Sequence, residues 1–286
     1  MLRRSVLLVL AALAAVVAAG SSPAASRARV PHRIVSLSPT ATETLFAVGA
    51  GKQVVAVDND SKYPRSAPHT TLSGLTPNVE AIAGYRPDLV VISYDPGGLR
   101  SSLAKLHIPV LEEDAATTLA GAYAEILQIG RATGHFAKAK QVVAGMKRSI
   151  ARSVSAAHGR GRGLSVYHEL DPTLYSATSK TFIGEIYTLF GLKNIADAAD
   201  SSGSGYPQLS AEYVVAQNPD LIVLADTVCC GQSAKTLAAR PGWSSIKAVR
   251  TGEVVRIDDS IASQWGPRIV LFAKALSQAL DHLAAR

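Results

Sequence analysis

Short, mainly hydrophobic runs alternate with helical patterns along the chain. The first run covers 33–37. A helix follows, beginning around Pro39 after Ser38, and a second run covers 54–57. The apolar runs that end 79–93 and 211–225 lack the polar alternation of a half-exposed strand, so we expect strands that are covered on both faces. The order strand, helix, strand predicts a parallel sheet with helices around it.

An internal repeat extends this pattern to the whole chain. Residues 79–93 and 211–225 both consist of a short helical pattern, a Pro-Asp turn and an apolar run. Glu80 and Glu212 occupy the same place in the two copies, 132 positions apart. A duplicated unit with so long a period predicts two similar α/β lobes. We therefore predict an α/β fold of two Rossmann-like lobes with parallel sheets.

One long amphipathic helix is predicted between the lobes, at 135–158. Its apolar positions keep to one helical face and are Phe136, Val143, Met146, Ile150 and Val154. About 23 residues rising 1.5 Å each give roughly 35 Å, enough to pass from one lobe to the other. The predicted N-terminal lobe covers 33–134, and the C-terminal lobe covers 163–286.

The first 25 residues have the pattern of a secretory signal peptide. Arg3 and Arg4 precede an apolar run of 15 residues, 6–20, and small residues follow. The run is shorter than the roughly 20 residues of a membrane span. We predict a signal peptide at 1–25 and an exported protein; an uncleaved N-terminal anchor is the alternative. No cysteine follows the run, which disfavours direct lipid anchoring.

Composition and charge exclude some classes of protein. The chain is 48% hydrophobic and 18% charged, which is typical of a globular protein. The net charge of +7 is scattered without a block of five basic residues, so nucleic-acid binding is not expected. The two cysteines, Cys229 and Cys230, are adjacent and match no zinc spacing. They either form a vicinal disulfide or remain two free thiols in a loop.

No catalytic or cofactor motif is found. The glycines at 159, 161 and 163 are followed by Leu164, where a dinucleotide-binding motif needs its third glycine. His168-Glu169 is followed by Pro172, where a zinc protease needs its second histidine. We expect neither an enzyme nor a resident metal or cofactor. A hydrolase whose Ser, His and Asp meet only in the folded chain is the alternative.

Candidate ligand-binding residues lie beside the predicted strand ends. They are Ser38, Tyr94, Tyr175, Tyr206 and Trp265. Ligands of parallel α/β sheets dock outside the carboxyl ends of the strands. Aromatic side chains suit such a site because they combine a flat apolar face with a polar tip.

Four segments in order resemble one family of transport proteins. They are 33–43, 79–93, 206–210 and 266–269. The chain resembles the cobalamin and ferric-siderophore group of periplasmic binding proteins, which serve ABC importers. The resemblance implies that the connecting helix is a rigid backbone and that a ligand binds between the lobes. It also implies a monomer in the periplasm or on the outer face of the cytoplasmic membrane.

The resemblance also implies a ligand class and a partner. Tyr206 matches an aromatic position of the cobalamin binders, whereas Ser93 and Asp60 replace aromatic residues of that group. The implied ligand is a corrinoid or an iron chelate, either a siderophore or haem. In the family, the glutamates matching Glu80 and Glu212 pair with arginines of an ABC permease dimer; here they could instead only begin helices. A ligand sensor with the same fold remains an alternative function.

Overall fold

The structure, a computed structural model, describes residues 29–285. The predicted signal peptide at 1–25 lies outside the described residues. Across the described range, none of the helices combines the length and the apolar character that a membrane span needs.

The N-terminal lobe is built on one four-stranded parallel sheet. Its elements are β1 (Ile34–Ser36), α1 (Pro39–Ala47), β2 (Val54–Val57), α2 (Val79–Gly84), β3 (Leu89–Ile92), α3 (Leu99–Lys105), β4 (Val110–Glu112) and α4 (Leu119–Ala132). The strand order is β2-β1-β3-β4. The side chains of β1 and β3 are buried throughout, because helices cover both faces of the sheet.

The C-terminal lobe repeats this design. Helix α5 (Phe136–Ala156) leads to β5 (Ser165–Glu169), α6 (Phe182–Leu189), β6 (Lys193–Asn194), α7 (Ala211–Gln217), β7 (Leu221–Leu224), α8 (Ala234–Ala238), α9 (Lys247–Thr251), β8 (Val254–Arg256), α10 (Asp259–Ala262) and α11 (Ile269–Ala284). All strand pairs are parallel, in the order β6-β5-β7-β8. The predicted fold class, two lobes with parallel sheets, is confirmed.

The duplication detected in the sequence appears as equivalent strand positions. Strands β3 and β7 begin 132 residues apart, and each is the third strand of its sheet. Each follows a short helix, α2 or α7, through the Pro-Asp turn of the repeat. The Asp88 carboxylate accepts hydrogen bonds from the backbone of the two residues before β1, and Asp220 accepts one from the first residue of β5. The repeated aspartate therefore ties each third strand to its neighbour.

Helix α5 connects the lobes within one continuous core. It packs against α4 on one side and α11 on the other. Of its predicted apolar face, Val143, Met146 and Ile150 are buried, in a cluster that includes side chains from both sheets. Because the helix belongs to both lobes, bending it would expose core surface, which favours a rigid connection.

Candidate functional site

Exposed apolar side chains concentrate at one edge of each sheet. Among residues 29–285, ten large hydrophobic side chains are exposed. Six of these ten lie in loops that follow the carboxyl ends of strands: Tyr63, Leu75, Tyr94, Tyr175, Tyr206 and Val228. In a parallel α/β sheet this is the edge where ligands bind. We call these six residues the rim set.

Two of the predicted residues, Tyr175 and Tyr206, are brought together in the C-terminal lobe. The segments that carry them pair through an antiparallel bridge between Tyr175 and Gln208. The backbone N–H of Ser176 donates to the carbonyl of Pro207 at 2.9 Å. The two rings are 42% and 39% exposed. Burial of the remaining surface raises the pKa of Tyr206, so the phenol stays neutral at physiological pH.

Tyr94 lies on the edge of the N-terminal lobe, two residues after the end of β3. It is 41% exposed. The loop is held by the Asp95 carboxylate, which accepts a hydrogen bond from the backbone N–H of Arg100 at 2.9 Å. The Arg100 guanidinium itself pairs with Glu112 at 3.1 Å. Each lobe therefore contributes at least one exposed tyrosine to its carboxyl edge.

The other two predicted residues, Ser38 and Trp265, lie deeper than the tyrosines. Ser38 is buried and caps α1, its Oγ accepting from the backbone N–H of Ala41. The Trp265 indole donates from Nε1 to Glu125 Oε2 at 2.5 Å and packs edge-to-face on Phe182. Since Glu125 belongs to α4, this contact joins the two lobes. A ligand-binding role of all five residues stays a prediction.

A small cavity lies between Ser38, Trp265 and two glutamates. It has room for about one water molecule. Glu113 is 5% exposed, and its Oε1 atom has no hydrogen-bond partner within the described chain. Burial raises the pKa of Glu113 to about 8 and that of Glu125 to about 7. Glu113 is therefore mostly protonated at neutral pH.

A buried polar network supports the edge of the C-terminal lobe. Glu169, at the end of β5, accepts two hydrogen bonds of 2.6 Å from the Arg240 guanidinium. Asp226, just after β7, is also fully buried. Burial, and then the nearby Glu169 carboxylate, raise the pKa of Asp226. Arg240 also donates to Gln232 at 2.8 Å and in this way fixes the base of the loop that carries Val228.

Sequence reasoning missed three members of the rim set: Tyr63, Leu75 and Val228. All three follow strand ends, so the rule that selected Tyr94 and Tyr175 could have found them. Tyr63 lies against the guanidinium of Arg268, whose Cζ is 3.9 Å from the ring centroid. Across residues 29–285, no group of three or more His, Cys, Asp or Glu is arranged to hold a metal ion.

Glu80 and Glu212 lie at equivalent places on the surfaces of the two lobes. Both side chains are exposed in the first turn of a short helix. The helix caps are supplied by other residues: Asn78 Oδ1 accepts from the N–H of Ala81, and Ser210 Oγ accepts from the N–H of Tyr213. The two carboxylates are therefore not needed as hydrogen-bonding caps.

His168, the one histidine in a motif-like setting, is unsuited to catalysis. It is fully buried in β5, and its Nδ1 lies 2.6 Å from the Tyr187 hydroxyl. Burial lowers the pKa of His168 to about 3. A neutral imidazole enclosed by aromatic rings cannot exchange protons with a ligand at the rim set.

Comparison with known proteins supports this interpretation. Residues 34–261 match the family model of periplasmic binding proteins. An uncharacterised ABC transporter substrate-binding lipoprotein of Bacillus subtilis is 32% identical over 263 residues, covering 87% of this chain and 80% of that protein. A cobalamin-binding protein of Halobacterium salinarum is 34% identical over 253 residues, covering 84% of this chain and 67% of the relative.

Solved structures share the fold. The periplasmic haem-binding protein RhuT of Roseiflexus superposes with a TM-score of 0.76 at 23% identity, covering 87% of this chain and 97% of that one. The vitamin B12-binding protein BtuF of Vibrio cholerae gives a TM-score of 0.72 at 21% identity, covering 90% and 99%. The matched segment includes both sheets and the connecting helix, so the family resemblance is confirmed. This chain belongs to the periplasmic binding protein family, the non-enzymatic, extracytoplasmic substrate-binding proteins of ABC importers.

Proposed function

We propose that this protein captures a corrinoid, or else an iron chelate such as a ferric siderophore or haem, in the cleft between its lobes. It then delivers the ligand to an ABC permease dimer. The observation that carries the proposal is the rim set. Within residues 29–285, six of the ten exposed large hydrophobic side chains lie at the edges where parallel sheets bind ligands. Such a concentration of exposed apolar groups is typical of a binding surface.

The chemistry of the rim set favours a large, flat ligand. Four of its members are tyrosines, which offer ring faces for stacking and hydroxyl groups for polar edges. Corrin and porphyrin rings have this combination of flat apolar faces and polar substituents. The similarity to a cobalamin-binding relative supports a corrinoid as the first choice.

Delivery and location complete the proposal. The exposed carboxylates of Glu80 and Glu212, one on each lobe, suit contact with a two-fold symmetric permease. The N-terminal pattern at 1–25 supports export to the periplasm or the outer membrane face, where the protein acts as a monomer.

A direct binding experiment tests the proposal. Purified protein lacking residues 1–25 is titrated with cyanocobalamin, haemin and a ferric hydroxamate, and binding is followed by calorimetry and by the ligand absorption band. We expect saturable one-to-one binding of one of these ligands without turnover. Absence of binding to all three, with the fold verified by circular dichroism, would refute the proposed ligand class.

A further inference from the structure

The loop after β7 contains an exposed pair of bonded cysteines. Cys229 and Cys230 are joined by a disulfide, and both residues are exposed. The bond links neighbours in the chain and therefore closes no loop of the fold. Since a disulfide stabilises a fold mainly by closing a long loop of the unfolded chain, this one contributes little to stability. Its effect must be local.

The loop is anchored on the N-terminal side of the disulfide. The Asp259 carboxylate accepts hydrogen bonds from the backbone N–H groups of Val228, at 3.0 Å, and Cys229, at 2.7 Å. The Thr227 hydroxyl donates to the carbonyl of Ile257 at 2.7 Å. These contacts do not depend on the sulfur–sulfur bond.

A second anchor lies on the other side. Gln232 accepts a hydrogen bond at 2.8 Å from Arg240, the same guanidinium that holds Glu169. The backbone N–H of Gln232 donates to the carbonyl of Asp226. With both ends fixed, opening the disulfide would release only the short segment 229–231, in which the backbone N–H of Cys229 stays bound to Asp259.

The position of this segment connects it to the ligand site. Strand β7 is the repeat equivalent of β3, and the loop after β3 carries Tyr94. The loop after β7 carries Val228, which is 71% exposed and precedes the disulfide directly. Val228, Cys229 and Cys230 thus form an exposed apex on the carboxyl edge of the C-terminal lobe. Strand β7 neighbours β5, the strand whose following loop carries Tyr175.

We propose that Cys229–Cys230 is a reversible thiol–disulfide site that tunes ligand affinity at this edge. The proposal rests on the proposed function, since the affinity it tunes is that of the rim set. Two thiols of a reductant, or one dithiol, supply two electrons and two protons. The Cys229–Cys230 bond breaks, both sulfur atoms become thiols, and the reductant leaves as its own disulfide.

Oxidation should favour binding. The closed ring restrains the peptide between the two cysteines, so the apex is ordered before the ligand arrives. In the reduced form the ligand must order segment 229–231, which weakens binding. We expect the reduced protein to bind threefold to tenfold more weakly, with an unchanged melting temperature because both anchors persist.

The first test measures the redox state of the two cysteines without any ligand. Folded protein is treated with iodoacetamide before and after dithiothreitol, and its mass is measured. We expect no label before reduction and two labels after it. A second sample, reduced, freed of dithiothreitol and reoxidised before iodoacetamide is added, should again take no label. Two labels without reductant, or no label after it, would overturn the reversible site.

The second test reads affinity. Oxidised protein, and protein reduced and then desalted without oxygen, are titrated with the ligand identified above. The double variant Cys229→Ser with Cys230→Ser is the matched control. It should bind the ligand with the affinity of the reduced form, and dithiothreitol should not change that affinity. Equal affinity of the oxidised and reduced forms would overturn the inference and leave the proposed function standing. Absence of binding in both forms would overturn the proposed function and, with it, the tuning of affinity.

Discussion

Glu43 and Arg268, 225 residues apart, form a buried ion pair between the two lobes. Arg268 donates from Nε to Glu43 Oε2 at 2.5 Å, and its backbone N–H donates to Oε1 at 2.6 Å. The side chains are only 2% and 16% exposed. Glu43 lies in α1 and Arg268 directly precedes α11, so the pair joins the lobes independently of α5.

Breaking this pair should destabilise the protein strongly. Burial raises the pKa of Glu43 even though Arg268 opposes the shift, so a Glu43 carboxylate without its partner would be costly. We expect Arg268→Ala to lower the free energy of unfolding at pH 7 by about 3–5 kcal/mol. The loss should shrink at acidic pH, where Glu43 takes up a proton. Urea denaturation measures both effects.

The ion pair Arg100–Glu112, whose arginine is exposed, provides the control. Its arginine side chain is 61% exposed, so Arg100→Ala should cost less than about 1 kcal/mol. Similar losses in Arg100→Ala and Arg268→Ala would contradict a special role for the interlobe pair.

Stability should fall as the pH rises through the range in which Glu113 titrates. The pKa of Glu113 is raised from 4.5 to about 8 by burial, so between these values the folded state binds more protons than the unfolded state. The contribution of Glu113 is fully present below about pH 4.5 and is lost as the pH approaches 8. Glu113→Gln should remove this loss, which has a slope of up to about 1.4 kcal/mol per pH unit.

Denaturation curves between pH 5 and 9 test this expectation. Glu112→Gln makes the same chemical change at the neighbouring, ion-paired position. It should leave the slope of stability against pH close to that of the unmodified protein. A Glu113→Gln variant with an unaltered slope would show that the buried carboxyl does not titrate as described.

Tyr175 and Tyr206, which lie on paired segments of the C-terminal lobe, should contribute directly to ligand affinity. Tyr175→Ala and Tyr206→Ala should each weaken binding by about 1–3 kcal/mol, because each removes an aromatic anchor. Leu106 is a suitable control, since it is 50% exposed but lies at the end of α3, before the amino end of β4. Leu106→Ala should leave the calorimetric affinity unchanged. Unchanged affinity in both tyrosine variants would remove them from the site.

The role of Glu80 and Glu212 can be separated from helix capping. The double variant Glu80→Ala with Glu212→Ala should keep ligand affinity and melting temperature while uptake into cells falls sharply. Asn78→Ala with Ser210→Ala removes the observed caps instead and should cost about 1 kcal/mol per helix. This second variant should retain uptake. Normal uptake by the glutamate variant would show that these residues only begin helices.

The sequence by itself determined the two lobes and the helix between them. Apolar runs without polar alternation, such as 89–92 and 221–224, indicate strands buried on both faces. The constant offset of 132 positions between the two copies of the repeat indicates duplication. Both inferences can be made without knowing which segments contact each other in the folded chain. Tyr94, Tyr175 and Tyr206 were predictable for the same reason, because a loop that follows a parallel strand must lie at the carboxyl edge.

Only the tertiary structure decided which distant side chains touch. Glu43 and Arg268 lie in two separate motifs of the chain, 33–43 and 266–269. Their ion pair forms because α1 and the start of α11 pack at the same interlobe contact. Trp265 and Ser38 were predicted beside strand ends like the tyrosines, yet packing places them around a small cavity between the lobes. Contact and burial of a side chain depend on its neighbours in space, which local pattern does not encode.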